Sequence, residues 1–282
     1  MKIKLITTHK VLSPTLMTVA DYAVNPYRGC EFNCLYCYAQ FMKTAQKEKN
    51  TLGVKENAPF ILEKELKNRK VKRVVLGSSC ESMTYAEEKY RITEKILEIL
   101  NTHEIAVTIL TKSPFITEYA DLIGKNSQNR IFFTYNFSDE TTKTLFEHSS
   151  PGLAQRIKAM AILRKKGIRL RAHIGPYLPY VSDLNNIFAQ LAMVSDTINI
   201  ELYHNKMGNF DGIIGCLKNG NRQTAENLYN VYASEKKYYD FSRTLKEDIL
   251  NLNRKYGFTV YYIEPQYGDY YNSRIDYEHP LV

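Results

Sequence analysis

Short apolar, β-branched runs alternate with segments of helical periodicity along most of this chain, and that alternation leaves few folds open. Runs over 71–76, 105–110, 130–136, 168–174 and 198–203 read as strands, with helical patterns over 57–69, 87–101, 153–166 and 184–194 between or before them. A further run over 18–24 reads as a first strand, and 38–49 as a helix after it. Strands separated by helices build βαβ units and a parallel sheet. About six such units predict an α/β fold, a partial parallel (β/α)6 barrel rather than a complete eight-fold one. In such folds the chemistry collects at the carboxyl ends of the strands. The polar stretches Gly77–Ser82, Thr111–Pro114 and Gly175-Pro176 all fall at those ends. Residues 204–282 lose the rhythm: they are rich in Tyr and Asn, with one long helical stretch over 222–255 and a strand-like 258–263. The expected organisation is a barrel over 1–203 and an extension over 204–282 that closes it and shapes the substrate side.

The loop after the first strand carries Cys30, Cys34 and Cys37, spaced Cys-x3-Cys-x2-Cys, with Tyr36 just before the third. Three thiolates on one loop can hold three irons of a 4Fe-4S cluster, which normally takes four cysteines, leaving the fourth iron open to a small molecule. A structural zinc site would show a second Cys pair or a distal His-x3-5-His, and neither occurs. The only other thiols are Cys80 and Cys216. Five cysteines also make an odd count for a disulfide framework.

At 282 residues, 44% hydrophobic and 24% charged, the composition is that of an ordinary globular domain. No apolar run approaches the roughly 20 residues of a membrane helix, and the first nine residues lack a signal-peptide core. The expectation is a cytoplasmic protein with no membrane partner. The formal charge of +8 permits a polyanionic partner. Many lysines nevertheless sit among glutamates, as over 63–70, where a solvated helix face explains them.

Taken with its spacing, the cysteine loop resembles that of the radical S-adenosylmethionine (SAM) superfamily. Further matches point to the branch that contains spore photoproduct lyase and its shorter relatives. They are Asn25-Pro-Tyr-Arg-Gly-Cys30, Tyr36-Cys-Tyr-Ala39, 54–58, Leu76-Gly77, Glu87 with Tyr90, Leu110-Thr-Lys-Ser113, the helix around Arg156 and 175–179. They run in order over about 20–200. The resemblance implies reductive cleavage of SAM at a 4Fe-4S cluster held by Cys30, Cys34 and Cys37. It also implies hydrogen-atom abstraction from a substrate, and a reductant such as flavodoxin or ferredoxin. A nucleic-acid lesion or modified nucleotide is the expected substrate. A peptide-modifying radical enzyme is the alternative within the same chemistry, and a cluster-bearing nucleic-acid binding protein the alternative outside it. The branch's usual stretch after the second strand is replaced here by Cys80-Glu-Ser-Met-Thr84.

The resemblance also assigns roles. Cys80 becomes the candidate hydrogen-atom donor, against the plainer reading of a small buried thiol at a strand end. Lys112 would take the methionine carboxylate of SAM, and its alternative is an ordinary exposed lysine. Glu81 would accept from the SAM amino group or ribose; Thr134 and Asn136 are further ribose or carboxylate candidates; Tyr36 would pack near the adenine. Arg156, Arg169, Arg171 and His173 are expected to line the substrate cavity. The tyrosines at 238, 239, 261, 262, 267, 270 and 271 either stack on bases or fill core and rim.

Overall fold

The computed structural model describes residues 1–42, 50–206, 208–268 and 276–282. Ten strands are described: β1 (Lys2–Ile6), β2 (Tyr22–Val24), β3 (Tyr27–Arg28), β4 (Thr51–Lys55), β5 (Arg73–Leu76), β6 (Ala106–Thr111), β7 (Arg130–Thr134), β8 (Arg169–Tyr177), β9 (Thr197–Leu202) and β10 (Thr259–Ile263). The main sheet has seven strands in the order β10-β9-β8-β7-β6-β5-β2, every neighbouring pair parallel. The alternating apolar pattern covers both faces. Val74, Leu76, Ile131 and Phe133 belong to the layer shared with the helices, whereas Ala23, Val75, Phe132 and Ile263 form a separate inner cluster. The described β2 and β10 edges do not pair, so the barrel is partial, as expected from the sequence.

Three differences from the sequence reading stand out. First, β10 pairs with β9 and makes a seventh strand, where six were expected in the barrel. Secondly, β1, β4 and β3 form a small second sheet that the pattern did not reveal. All of β1 is exposed or half-buried and β3 is two residues long, so neither leaves an apolar signature. Thirdly, the helical stretch over 222–255 is broken, as the helix order among the described residues shows: α1 (Ala58–Leu66), α2 (Glu87–Tyr90), α3 (Ile92–Thr102), α4 (Ala120–Gly124), α5 (Glu140–Phe146), α6 (Leu153–Lys165), α7 (Leu184–Leu191), α8 (Phe210–Gly220), α9 (Arg222–Val231) and α10 (Glu235–Tyr256). Ser234 is extended and its side chain accepts from Lys237 N, which starts α10 afresh after α9. Helix α8 was unread because glycines at 212, 215 and 220 weaken its propensity; burial of Ile213, Ile214 and Leu217 compensates. Of the helix expected over 38–49, residues 38–41 form a 3-10 turn and 43–49 lie outside the described residues.

The C-terminal residues 276–282 contribute to the barrel interior. Tyr277 belongs to the inner cluster, packing on Phe132 and His173. Its backbone N–H donates to Thr18 Oγ1 at 3.3 Å, linking the tail to the segment before β2. Arg171 Nη1 donates to Tyr277 O at 2.8 Å, and Arg130 pairs with Glu278 at 2.6 Å. No helix among the described residues is long and apolar enough to cross a membrane.

Candidate active site

A cavity of about 800 Å³ opens at the carboxyl ends of the parallel strands. Cys30, Cys34, Cys37, Tyr36, Cys80, Glu81, Lys112 and Thr134 all line it, so the sequence candidates converge there except Asn136. The size suits a drug-sized or cofactor-sized ligand.

All three loop cysteines are free thiols. Burial first, and then the neighbouring sulfurs Cys34 and Cys37, push the Cys30 thiol well up. Burial likewise pushes Cys34 up to about 12, against the pull of the Lys112 ammonium. Such thiols ionise only when a cationic centre takes the proton's place. Among the described residues no three side chains are grouped as ligands of a single metal ion. A 4Fe-4S cluster places each thiolate on a different iron, so its ligands stand farther apart than those of one ion. The donor chemistry, the shared cavity and the mutual influence of the sulfurs fit such a cluster.

The loop over 77–84 is tied in place from both sides. Asn25 Oδ1 accepts from Ser79 N at 2.9 Å and from the Cys80 thiol at 3.6 Å, and Tyr38 OH donates to Ser78 O at 2.7 Å. Glu81 accepts from Thr111 Oγ1 at 2.7 Å, Met83 N at 2.9 Å and Lys112 N at 3.0 Å. Most of its carboxylate capacity therefore fixes the loop to the end of β6. Gly77 has φ +83°, and a Cβ there would lie 2.6 Å from Ser82 Oγ and 2.8 Å from Leu110 O. Burial pushes the Cys80 thiol up to about 12, with the Lys55 ammonium pulling the other way. Cys80 thus keeps its hydrogen at neutral pH.

Lys112 Nζ sits 5.7 Å from the centre of the Tyr36 ring, with no hydrogen-bond partner among the described residues. Its pKa is raised: burial opposes the charge, but Cys34 and Glu147 outweigh it. Beneath Tyr36 lies a buried polar network that the sequence did not disclose. Tyr36 OH donates to Glu147, and Glu147 forms a fully buried ion pair with Arg156. Arg156 also donates to Pro151 O at 3.0 Å, Thr134 O at 3.3 Å and Ser150 Oγ at 2.6 Å. Asn136 is fully buried in this network: Nδ2 reaches Tyr36 OH at 2.9 Å, and Oδ1 accepts from Gly175 N at 2.8 Å. It stands behind the cavity wall, with its polar atoms committed, rather than on the wall where a cofactor contact was expected.

The expected arginine stripe also dissolves. Arg156 is sequestered with Glu147, and Arg169 is exposed at the start of β8. Arg171 stacks on Tyr261 with its guanidinium carbon 3.8 Å from the ring centre. Of the four residues only His173 lines the cavity. Among the described tyrosines of that expectation, Tyr238 is buried and donates to Pro265 O, and Tyr262 bonds Ser242, both as parts of the fold. Tyr270 and Tyr271 lie outside the described residues. Glu147 and Glu201 went unread as site residues, for neither stands in a motif whose spacing marks it; Asn25 opens the Asn25-Pro-Tyr-Arg-Gly-Cys30 match but was given no role of its own.

Residues 24–185 match the family model of the Radical SAM superfamily. The chain is 31% identical over 189 residues to an uncharacterized protein of Methanocaldococcus jannaschii, covering 66% of this chain and 71% of that protein. An uncharacterized protein of Mycobacterium tuberculosis is 24% identical over 215 residues, 68% of this chain and 63% of the relative. Spore photoproduct lyase complexed with dinucleoside spore photoproduct superposes with TM-score 0.66 at 15% identity, over 92% of this chain and 80% of the lyase. A lyase double mutant with bound AdoMet and the same dinucleoside gives 0.65, again at 15% identity and the same coverage. Another lyase mutant matches at TM-score 0.58 and 18% identity, over 71% of this chain and 61% of that one. This chain shares its fold with those lyases; it belongs to the radical SAM superfamily and is a radical SAM enzyme.

Proposed function

We propose that this enzyme uses a 4Fe-4S cluster and SAM to act on a nucleic-acid lesion or modified nucleotide. The observation that carries the reading is the convergence of three free loop thiols, the Lys112 ammonium and the separate Cys80 thiol on one cavity. Cys30, Cys34 and Cys37 would hold the cluster. Bound together, cluster and SAM supply a one-electron cleavage that yields a carbon radical able to abstract hydrogen. Lys112 offers three donors and a full charge to a carboxylate, held over Tyr36. Glu81 retains a lone pair for a SAM amino or hydroxyl group, and Thr134 presents its hydroxyl from the end of β7. Cys80 presents a hydrogen-bearing sulfur steadied by Asn25, which suits it to return a hydrogen atom to substrate. The nucleic-acid assignment draws on the dinucleoside carried by the similar lyase structures and on the +8 charge. The reading includes a cytoplasmic setting and an electron donor such as flavodoxin or ferredoxin.

The test is to give the reconstituted, reduced enzyme ultraviolet-irradiated DNA and untreated DNA at several salt concentrations, following SAM consumption. The reading expects consumption to rise with irradiated DNA and the effect to weaken as salt rises. Equal consumption with both DNAs, alongside stimulation by a peptide, would move the assignment to peptide modification.

A further inference from the structure

Successive residues at the end of β8 divide between two cavities. Gly175 and Pro176 line the one with the cysteines, whereas Tyr177 lines a second of about 330 Å³, and no described residue lines both. The second cavity lies between the loop over 178–183 and α10. Its walls are aromatic and acidic. Tyr180 and Phe241 meet with ring centres 5.7 Å apart and planes tilted by 50°, and Asp183 and Asp248 stand with them. No described Lys, Arg or His lines this cavity, although the chain carries a formal charge of +8.

Packing alone does not account for this group. Tyr180 is 55% exposed, so its ring is presented to solvent, and its backbone is held at φ +64°, where a bulky residue is uncommon. Asp183 caps α7, accepting from Asn186 N at 3.2 Å and Asn186 Nδ2 at 2.7 Å. About half of its lone-pair capacity stays free. Asp248 has no hydrogen-bond or ion-pair partner among the described residues. Tyr177 is 7% exposed, yet its hydroxyl also has no hydrogen-bond partner among the described residues. That oxygen is not one of the sealed, unpartnered atoms of the interior, so it keeps contact with the cavity it lines. Burial raises its pKa, and the charges that raise it further belong to Asp248, Tyr180 and Asp183, all on the cavity wall. A phenol this buried ordinarily finds a partner, so its free hydroxyl marks a place that a ligand completes.

We infer that this cavity binds a guanidinium group, stacked on the Tyr180–Phe241 wall, with its N–H donors shared among the Tyr177 hydroxyl and the Asp183 and Asp248 carboxylates. Each part of the wall selects one property of the ligand. Aromatic faces attract a cation, and a planar cation stacks on them. The acceptors come from three places, the end of β8, the loop before α7, and α10. A fixed fork of five donors reaches such separated acceptors better than a compact ammonium does. A quaternary ammonium would satisfy the rings and leave all three oxygen groups unpaired. The volume admits a group the size of a side chain. The same guanidinium chemistry is carried by small molecules and by the arginines of polypeptides. The site is separate from the cysteine cavity and requires no particular substrate there.

Calorimetric titration of the reconstituted enzyme tests this with Nα-acetyl-arginine amide, its uncharged isostere Nα-acetyl-citrulline amide, and Nα-acetyl-lysine amide. The arginine compound should bind about tenfold more tightly than the citrulline one, and more tightly than the lysine one. Asp248→Asn and Tyr180→Leu, both at exposed positions, should each weaken arginine binding about fivefold. Tyr177→Phe should weaken it too, with the ring retained. Circular dichroism reports that each variant folds, and SAM cleavage to 5'-deoxyadenosine should be unchanged in all three. Agmatine and a capped Gly-Arg-Gly peptide separate the two sources: the tighter binder assigns the site to a free small molecule or to a polypeptide arginine. Citrulline or lysine binding as tightly as arginine overturns the proposal, as does an arginine affinity unchanged in the folded variants. So does the absence of saturable binding up to about 10 mM. The binding comparison stands whatever substrate the cysteine cavity takes.

Discussion

Arg156 and Glu147 are the clearest case of a residue whose role could not be read in one dimension. The arginine stood out in the sequence, but its partner lies nine positions earlier with no periodic relation, and only the fold buries both. Removing one member of a buried ion pair leaves an uncompensated charge, at a cost of about 3–5 kcal/mol. Arg156→Met should therefore lower the urea-unfolding free energy by that order, and an unchanged midpoint would refute the assignment. Cys80 was legible, because its position after a strand places a thiol at the reactive end. If it returns the hydrogen, turnover of irradiated DNA in D2O should place one deuterium in the product from the exchangeable thiol. Cys80→Ala should abolish that label, and mass spectrometry of the product decides. His173 carries a pH signature. Its folded pKa of about 3 lies below the unfolded value near 6.5, so on acidification the unfolded state gains a proton that the folded state refuses. Stability is thus complete above about pH 6.5 and falls by about 1.4 kcal/mol per pH unit below it. Glu201, whose pKa burial raises, contributes a slope of the opposite sign in wild type and in His173→Gln alike, and Lys112, whose pKa is raised, stays charged throughout, so the comparison between them isolates His173. Unfolding between pH 6.5 and 5 should therefore be steeper in wild type than in His173→Gln, and equal slopes would contradict the buried neutral ring.

At the scale of elements, long periodic segments were legible and short or exposed ones were not. Strands β5 to β9 declared themselves through β-branched and apolar runs, even though β8 and β9 carry Arg171, His173, Asn199 and Glu201 on one face. Strands β1, β3 and β4 did not, being short, exposed or interrupted by Gly53. The cysteine loop and the loop over 77–84 act as one unit through Asn25 and Tyr38. Gly77 is the hinge of that unit, held in the left-handed region and against backbone. Gly77→Ala should cost at least about 1–2 kcal/mol from backbone conformation alone. It should also reduce iron retained after reconstitution, read by the iron-to-protein ratio. Normal stability and iron content together would show that the loop does not need that turn.

For the whole molecule, the parallel sheet was readable from rhythm, but the use of its open interior was not. The C-terminal segment enters that space through Tyr277, whose ring packs on Phe132 and whose hydroxyl holds Glu201. No pattern in 276–282 announces this, since one aromatic among polar residues reads as a tail. Truncating the ring in Tyr277→Ala should cost about 3–5 kcal/mol, the range for large buried aromatics. Tyr277→Phe should cost only about 1 kcal/mol for the lost hydrogen bond. Thermal unfolding of the pair separates packing from hydrogen bonding, and equal losses would contradict the placement. The central claim concerns the three thiols and the cavity they share. The most direct test is anaerobic reconstitution with iron and sulfide, reduction, addition of SAM and assay for 5'-deoxyadenosine, with Cys34→Ala as control. The account predicts 5'-deoxyadenosine from the wild type and none from the variant. A fully loaded cluster that forms none under several reductants, with irradiated DNA present, would contradict it.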